Sequence, residues 1–96
     1  MIRSFRHKGL GRFFETGSKA GIQPAHADRL QKQLTVLNQA RSVADIPAAW
    51  RPHRLEGRNE AGGLGGHHAI WVSASWRLTF LFEGHDIHLL DYLDYH

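Results

Sequence analysis

From Ala69 to Tyr92 apolar residues return at about every second position in three successive runs, so any fold of this chain must lay its C-terminal third out as a sheet. The runs are Ala69 to Ser73, Trp76 to Phe82 and Ile87 to Tyr92, and the short connections between them predict an antiparallel meander. In the middle run Trp76, Leu78, Phe80 and Phe82 share one face, while Arg77, Thr79 and Leu81 share the other. The aromatic face needs a cover. Arg77 is turned away from it.

The cover is found upstream. Ile2 to Phe5 fits a short opening strand. Leu10, Phe13 and Phe14 then recur at i, i+3 and i+4, the buried stripe of a short helix that ends near Gly17 and turns Arg6, Lys8 and Arg12 toward water. Pro24 suits a helix start, and Ala27, Leu30, Leu34 and Leu37 form a longer stripe, which predicts a helix from about residue 24 to residue 40. Ser42-x-x-Asp45 predicts one capped turn, stopped by Pro47. Arg51 to Leu55 reads as a strand, and the glycine-rich stretch from Gly57 to Gly66 reads as a mobile loop. The turn at Ser73-Ala74-Ser75 lacks the glycine or asparagine that tight hairpins favour. The expected fold is α+β: two N-terminal helices packed on a twisted antiparallel sheet, in one domain spanning residues 1–96. A chain of this length buries roughly 60–70% of its unfolded surface, enough for one modest core.

There is no cysteine, which removes disulfides, thiolate metal sites and a thiol nucleophile, and fits a reducing compartment. No apolar run is long enough to span a bilayer and the N-terminus has no signal-like apolar segment, so a soluble cytoplasmic protein is expected, with no membrane partner. Charge is segregated: residues 1–58 hold 11 Lys and Arg against 4 Asp and Glu, and residues 59–96 hold 1 against 5. A basic first part suits a polyanion such as RNA.

Eight histidines raise the question of a metal. His67-His68 are adjacent and His85-x-x-His88 is odd-spaced, so on strands each pair points to opposite faces; no metal and no cofactor is expected, and His67, His85 and His88 are read as surface residues. The glycine-rich stretch lacks the following Lys-Ser/Thr of a phosphate cradle. The residues that suit chemistry are His53, Arg77 and the terminal Asp94, Tyr95 and His96, which can share a face. RNA carries its own nucleophile, the 2′-hydroxyl, so cleavage needs a base, an acid and a cation at the phosphate. Histidine, arginine and tyrosine fill those roles near neutral pH. Arg6, Lys8, Arg12, Arg51 and Arg54 are the expected contacts to RNA.

Several segments resemble HigB-type toxins of bacterial toxin–antitoxin modules, within the RelE/ParE superfamily. They are Ile2 to Leu10 with Phe13-Phe14, Gly21-Ile22-Gln23-Pro24, His53-Arg54-Leu55-Glu56-Gly57, Trp76 to Phe80, and Asp91 to His96. The resemblance implies a RelE-like fold and ribosome-dependent cleavage of messenger RNA, with growth arrest as the outcome. It implies His53 and His96 as proton carriers, Arg77 as phosphate clamp, Tyr95 as a base or phosphate contact and Asp94 as an orienting group. It also implies a HigA-like helix-turn-helix antitoxin, with operator DNA touched only through the toxin–antitoxin complex. Glu56 stands where the family often has lysine, and the glycine-rich stretch replaces a basic loop, so two cationic contacts are missing. The alternatives are a ParE-like toxin that inhibits DNA gyrase without cutting anything, and a non-enzymatic protein-binding module.

Overall fold

The computed structural model describes residues 1–55 and 66–95. The expectations that fall on Glu56, on the glycine-rich residues before Gly66 and on His96 lie outside those residues.

Two helices precede a four-stranded antiparallel sheet of order β1-β2-β3-β4. Helix α1 runs Lys8–Thr16 and α2 runs Ala27–Gln39; the strands are β1 (His53–Arg54), β2 (His68–Ser73), β3 (Trp76–Glu83) and β4 (Asp86–Asp94). Helix α1 begins where the His7 ring accepts a hydrogen bond from Leu10 N–H at 2.9 Å, and ends at Gly17 in the left-handed conformation. The second helix starts as a 3₁₀ turn at Pro24–His26 and becomes regular at Ala27. The Ser42 side chain makes no cap; the Asp45 carboxylate instead accepts from Arg41 N–H at 2.9 Å.

The core lies between the helices and one face of the sheet. Leu10 and Phe13 of α1 and Leu30, Leu34 and Leu37 of α2 pack with Ile70, Val72, Leu78, Phe80, Ile87, Leu90 and Tyr92. Phe82 and Trp76 border this cluster, so the aromatic face of β3 meets the helices as its alternation requires. Ile87 and Leu90 are an odd number of residues apart yet both face the core. A register shift opposite Thr79–Leu81 absorbs the extra residue, with Leu89 at φ 56°. Ser4 stabilises that bulge: its hydroxyl accepts from Leu89 N–H at 2.9 Å.

The expected opening strand is a bridging segment rather than a full strand. It runs parallel to β4, with isolated bridges at Ile2 to Ile87 and Phe5 to Leu90. Asp86 anchors its start, accepting from Arg3 Nε at 3.0 Å and from the N-terminal amine at 3.3 Å. Those contacts hold the Asp86 carboxyl below its ordinary range, the Arg3 hydrogen bond being the largest cause. The expected strand Arg51–Leu55 shortens to two residues because Arg51 takes a left-handed conformation (φ 55°, ψ 50°) and turns the chain. In the β2–β3 hairpin Ala74 adopts φ 49°, supplying the positive φ without glycine.

Candidate active site

The sheet face opposite the helices is read directly from the register. His53 pairs with Ala69, Ala69 with Thr79, and Thr79 with Asp91; one step along, Trp71 pairs with Arg77 and Arg77 with Leu93. Facing residues of antiparallel strands project to the same side, so His53, Trp71, Arg77 and Asp91 share this face. His53 and Arg77 stand two strands apart, about 10 Å across the sheet.

His53 is exposed, and its Nδ1 lies 3.0 Å from the carbonyl oxygen of Arg51. A carbonyl only accepts, so Nδ1 donates and the neutral ring presents a basic Nε2. The left-handed turn at Arg51 brings that carbonyl within reach. Arg77 is half-buried, and its Nη1 donates to the carbonyls of Ala74 at 2.8 Å and Trp76 at 2.9 Å. These bonds fix the guanidinium plane and leave its other donors for a ligand.

Tyr95 sits just beyond β4, with its N–H donating to Ser75 O at 2.8 Å. Burial pushes its phenol above the ordinary tyrosine range; the neighbouring Arg77 pulls it down again and Asp91 pushes it up. Tyr95 is therefore a neutral hydroxyl at physiological pH, a hydrogen-bond donor beside Arg77. Asp94 differs from the expected placement. It pairs with Trp76 on the helix-facing side and accepts from the Ser75 hydroxyl. The structure thus brings His53, Arg77 and Tyr95 to one face and sets Asp94 at the same end of the sheet on the other; His96 lies outside the described residues.

Arg51 and Arg54 flank His53, exposed on either side of it. Arg6, Lys8 and Arg12 are exposed around the start of α1. His67, read from sequence as a surface residue, is buried at 4% exposure, whereas His85 is exposed. The His67 carbonyl accepts from Leu55 N–H at 2.8 Å, which holds its backbone beside the β1–β2 pair, and its ring is covered with both nitrogens lacking a hydrogen-bond partner among the described residues. Among the described residues no group of three or more His, Asp or Glu is placed to hold a metal.

Sequence reasoning passed over Trp71 and Arg29. The guanidinium carbons of Arg29 and Arg51 lie 5.1 and 5.3 Å from the centroid of the Trp71 ring. The one available signal was parity, which places Trp71 on the same side as Arg77 once the hairpin register is known. Asp91 was likewise visible only as part of the acidic tail.

Residues 3–96 match the model of a family described as the RelE-like toxin of type II toxin–antitoxin system HigB. Over 97 aligned residues the chain is 36% identical to the Endoribonuclease HigB of Proteus vulgaris, covering the full length of both.

Proposed function

This chain belongs to the HigB-like family of RelE-like type II toxins, and from that premise we propose that it cuts messenger RNA on the ribosome. It is the toxin of a toxin–antitoxin system and an endoribonuclease; the substrate, the setting and the residue roles that follow are our reading. In that reading residues 1–96 form a single RelE-like toxin domain, and the observation that carries the mechanism is the convergence of His53, Arg77 and Tyr95 on the helix-free face of the sheet.

His53 Nε2 takes the proton of the 2′-hydroxyl as its oxygen attacks the adjacent phosphorus. The bond from phosphorus to the 5′-oxygen breaks, and that oxygen leaves with a proton from the acid, a role that falls to His96. The products are a 2′,3′-cyclic phosphate and a 5′-hydroxyl. Arg77 holds the phosphoryl oxygens, and the Tyr95 phenol donates a hydrogen bond to the same group or stacks on a base. Asp94 acts from the other side of the strand end as an orienting group. The ribosome presents the messenger in the strained geometry that in-line attack needs, and Arg6, Lys8, Arg12, Arg51 and Arg54 meet ribosomal phosphates. The reaction takes place in the cytoplasm, stops translation and arrests growth. A HigA-like helix-turn-helix antitoxin restrains it, and operator DNA is bound only by their complex.

Losing a general acid or base costs about 10²–10⁴-fold in rate, and losing an electrostatic clamp about 10²–10³-fold. Mapping transcript 5′ ends on polysomes should therefore show new ends with the wild type and nearly none with His53→Ala, Arg77→Ala or His96→Ala. Growth arrest that persists in those variants without any new ends would overturn the nuclease reading.

A further inference from the structure

We infer that Trp71 and Arg29, together with Arg51, form a second phosphate seat beside the cleavage site, which holds RNA next to the scissile linkage. The inference rests on the nuclease reading and extends its RNA contacts to two residues outside the set of His53, Arg77 and the tail.

Two guanidiniums lie against one indole here, and a third shares a carbonyl acceptor with it. Arg29 comes from α2, Arg51 from the left-handed turn before β1, and Arg77 from the residue facing Trp71 across the β2–β3 ladder. Among the described residues none of the three is in an ion pair with a carboxylate. Like charges brought together at one aromatic ring, with no carboxylate among the described residues in ion-pair contact with them, make a place for an anion. The arrangement is rigid at its centre. Trp71 Nε1 donates to Ala74 O at 3.1 Å, the same carbonyl that accepts from Arg77 Nη1 at 2.8 Å. The Trp71 carbonyl in turn accepts from the buried Gln33 Nε2 at 2.8 Å, which ties it to the helix carrying Arg29. The indole is thus locked both to the phosphate clamp and to the element that supplies the second cation. An arginine that packs its face on an aromatic keeps its edge donors for phosphate oxygens.

Trp71 is a positioning residue in this scheme, since it acts through the two arginines. The test uses ribosomes programmed with a messenger that the wild type cuts, and the same messenger carrying a 2′-deoxynucleotide at the mapped cut for binding without turnover. Arg29→Ala and Trp71→Ala should raise KM about 5–10-fold while kcat stays within twofold. Each lost phosphate contact should also flatten the dependence of log affinity on log salt by about 0.7. Trp71→Phe, which retains a ring under the guanidiniums, should recover most of both effects. A slope change seen with and without messenger assigns the phosphates to ribosomal RNA; a change seen only with messenger assigns them to the substrate. Variants that are folded by circular dichroism and keep wild-type KM and salt slope overturn the seat. So does a Trp71→Ala defect confined to kcat and thermal stability with Arg29→Ala silent. If the wild type cuts nothing yet the slopes change as expected, the seat stands and the nuclease reading falls.

Discussion

Tyr92 shows how a residue outside the chemistry sustains it. Its hydroxyl lies 2.5 Å from His26 Nδ1 and also takes a hydrogen bond from the Gln23 backbone, and its ring packs 4.5 Å from that of Trp76. The phenol and the imidazole share one hydrogen bond, whose donor is set by the His26 tautomer. Burial and then the charge of Arg29 hold the His26 pKa below 6.5. Tyr92→Phe leaves both partners unsatisfied and should cost about 1–3 kcal/mol in urea unfolding. The pH dependence follows from the direction of the shift. The unfolded chain binds a proton near 6.5 that the folded chain refuses, so this contribution is whole above 6.5 and fades on acidification. His68, lowered chiefly by burial, adds in the same sense. The urea midpoint should fall between pH 7.5 and pH 5.5, and His26→Gln should flatten that fall; an equal fall in the variant would assign it elsewhere. Tyr95, raised rather than lowered, should leave no alkaline limb near neutrality in a rate profile, and Tyr95→Phe should leave the profile's shape unchanged.

The turn-and-helix junction has its own dependence on two glycines. A Cβ on Gly9 would lie 2.6 Å from Gly21 O, and one on Gly21 would lie 2.5 Å from the Gly9 Cα, so the start of α1 crosses the loop before Pro24 backbone to backbone. Gly21→Ala cannot be relieved by a side-chain rotation. It should lower stability by about 1–3 kcal/mol through overpacking, measured as a shifted thermal midpoint, and a variant as stable as the wild type would show that the crossing yields freely. Much of the fold was legible in the sequence because both helices and the strands β2 and β3 carry a clear period, which β4 keeps on either side of its bulge. Residues such as Leu10, Phe13, Leu30 and Phe80 announce their faces by spacing alone. What escaped reading is where a distant contact overrides the local pattern. The bulge at Leu89 depends on Ser4, and β1 is cut short by a left-handed Arg51 that no propensity favours. The candidate site divides in the same way. Strand parity put Arg77 away from the core, whereas the opposite placement of Asp94 and the gathering of Arg29 onto Trp71 follow from tertiary register and helix packing.

Across the molecule the segregation of charge along the chain is kept in space on the β1 and β2 side, whereas at β4 Arg3 pairs with Asp86 and the opening segment with Arg6 runs alongside the strand. Arg51, Arg54 and Arg29 surround the β1 and β2 side, while Asp86, Asp91 and Asp94 all belong to β4 at the other end of the sheet order. Such a field orients the protein before contact and speeds association with a polyanion. The association rate with ribosomes should fall steeply with ionic strength in stopped-flow measurements. Arg54→Glu should slow it several-fold, and Asp86→Asn should leave it nearly unchanged; equal effects from the two ends would mean that net charge alone governs capture.

Beyond Ala69 no strand of the described residues lies alongside the outer border of β2. A stray β-segment from another polypeptide could zip onto such a border and seed a fibrous deposit. The Gln33 amide already occupies the Trp71 carbonyl there, and the two cations crowd the ring next to it. Removing that one amide would free the Trp71 carbonyl on that border for pairing with a strand of another copy.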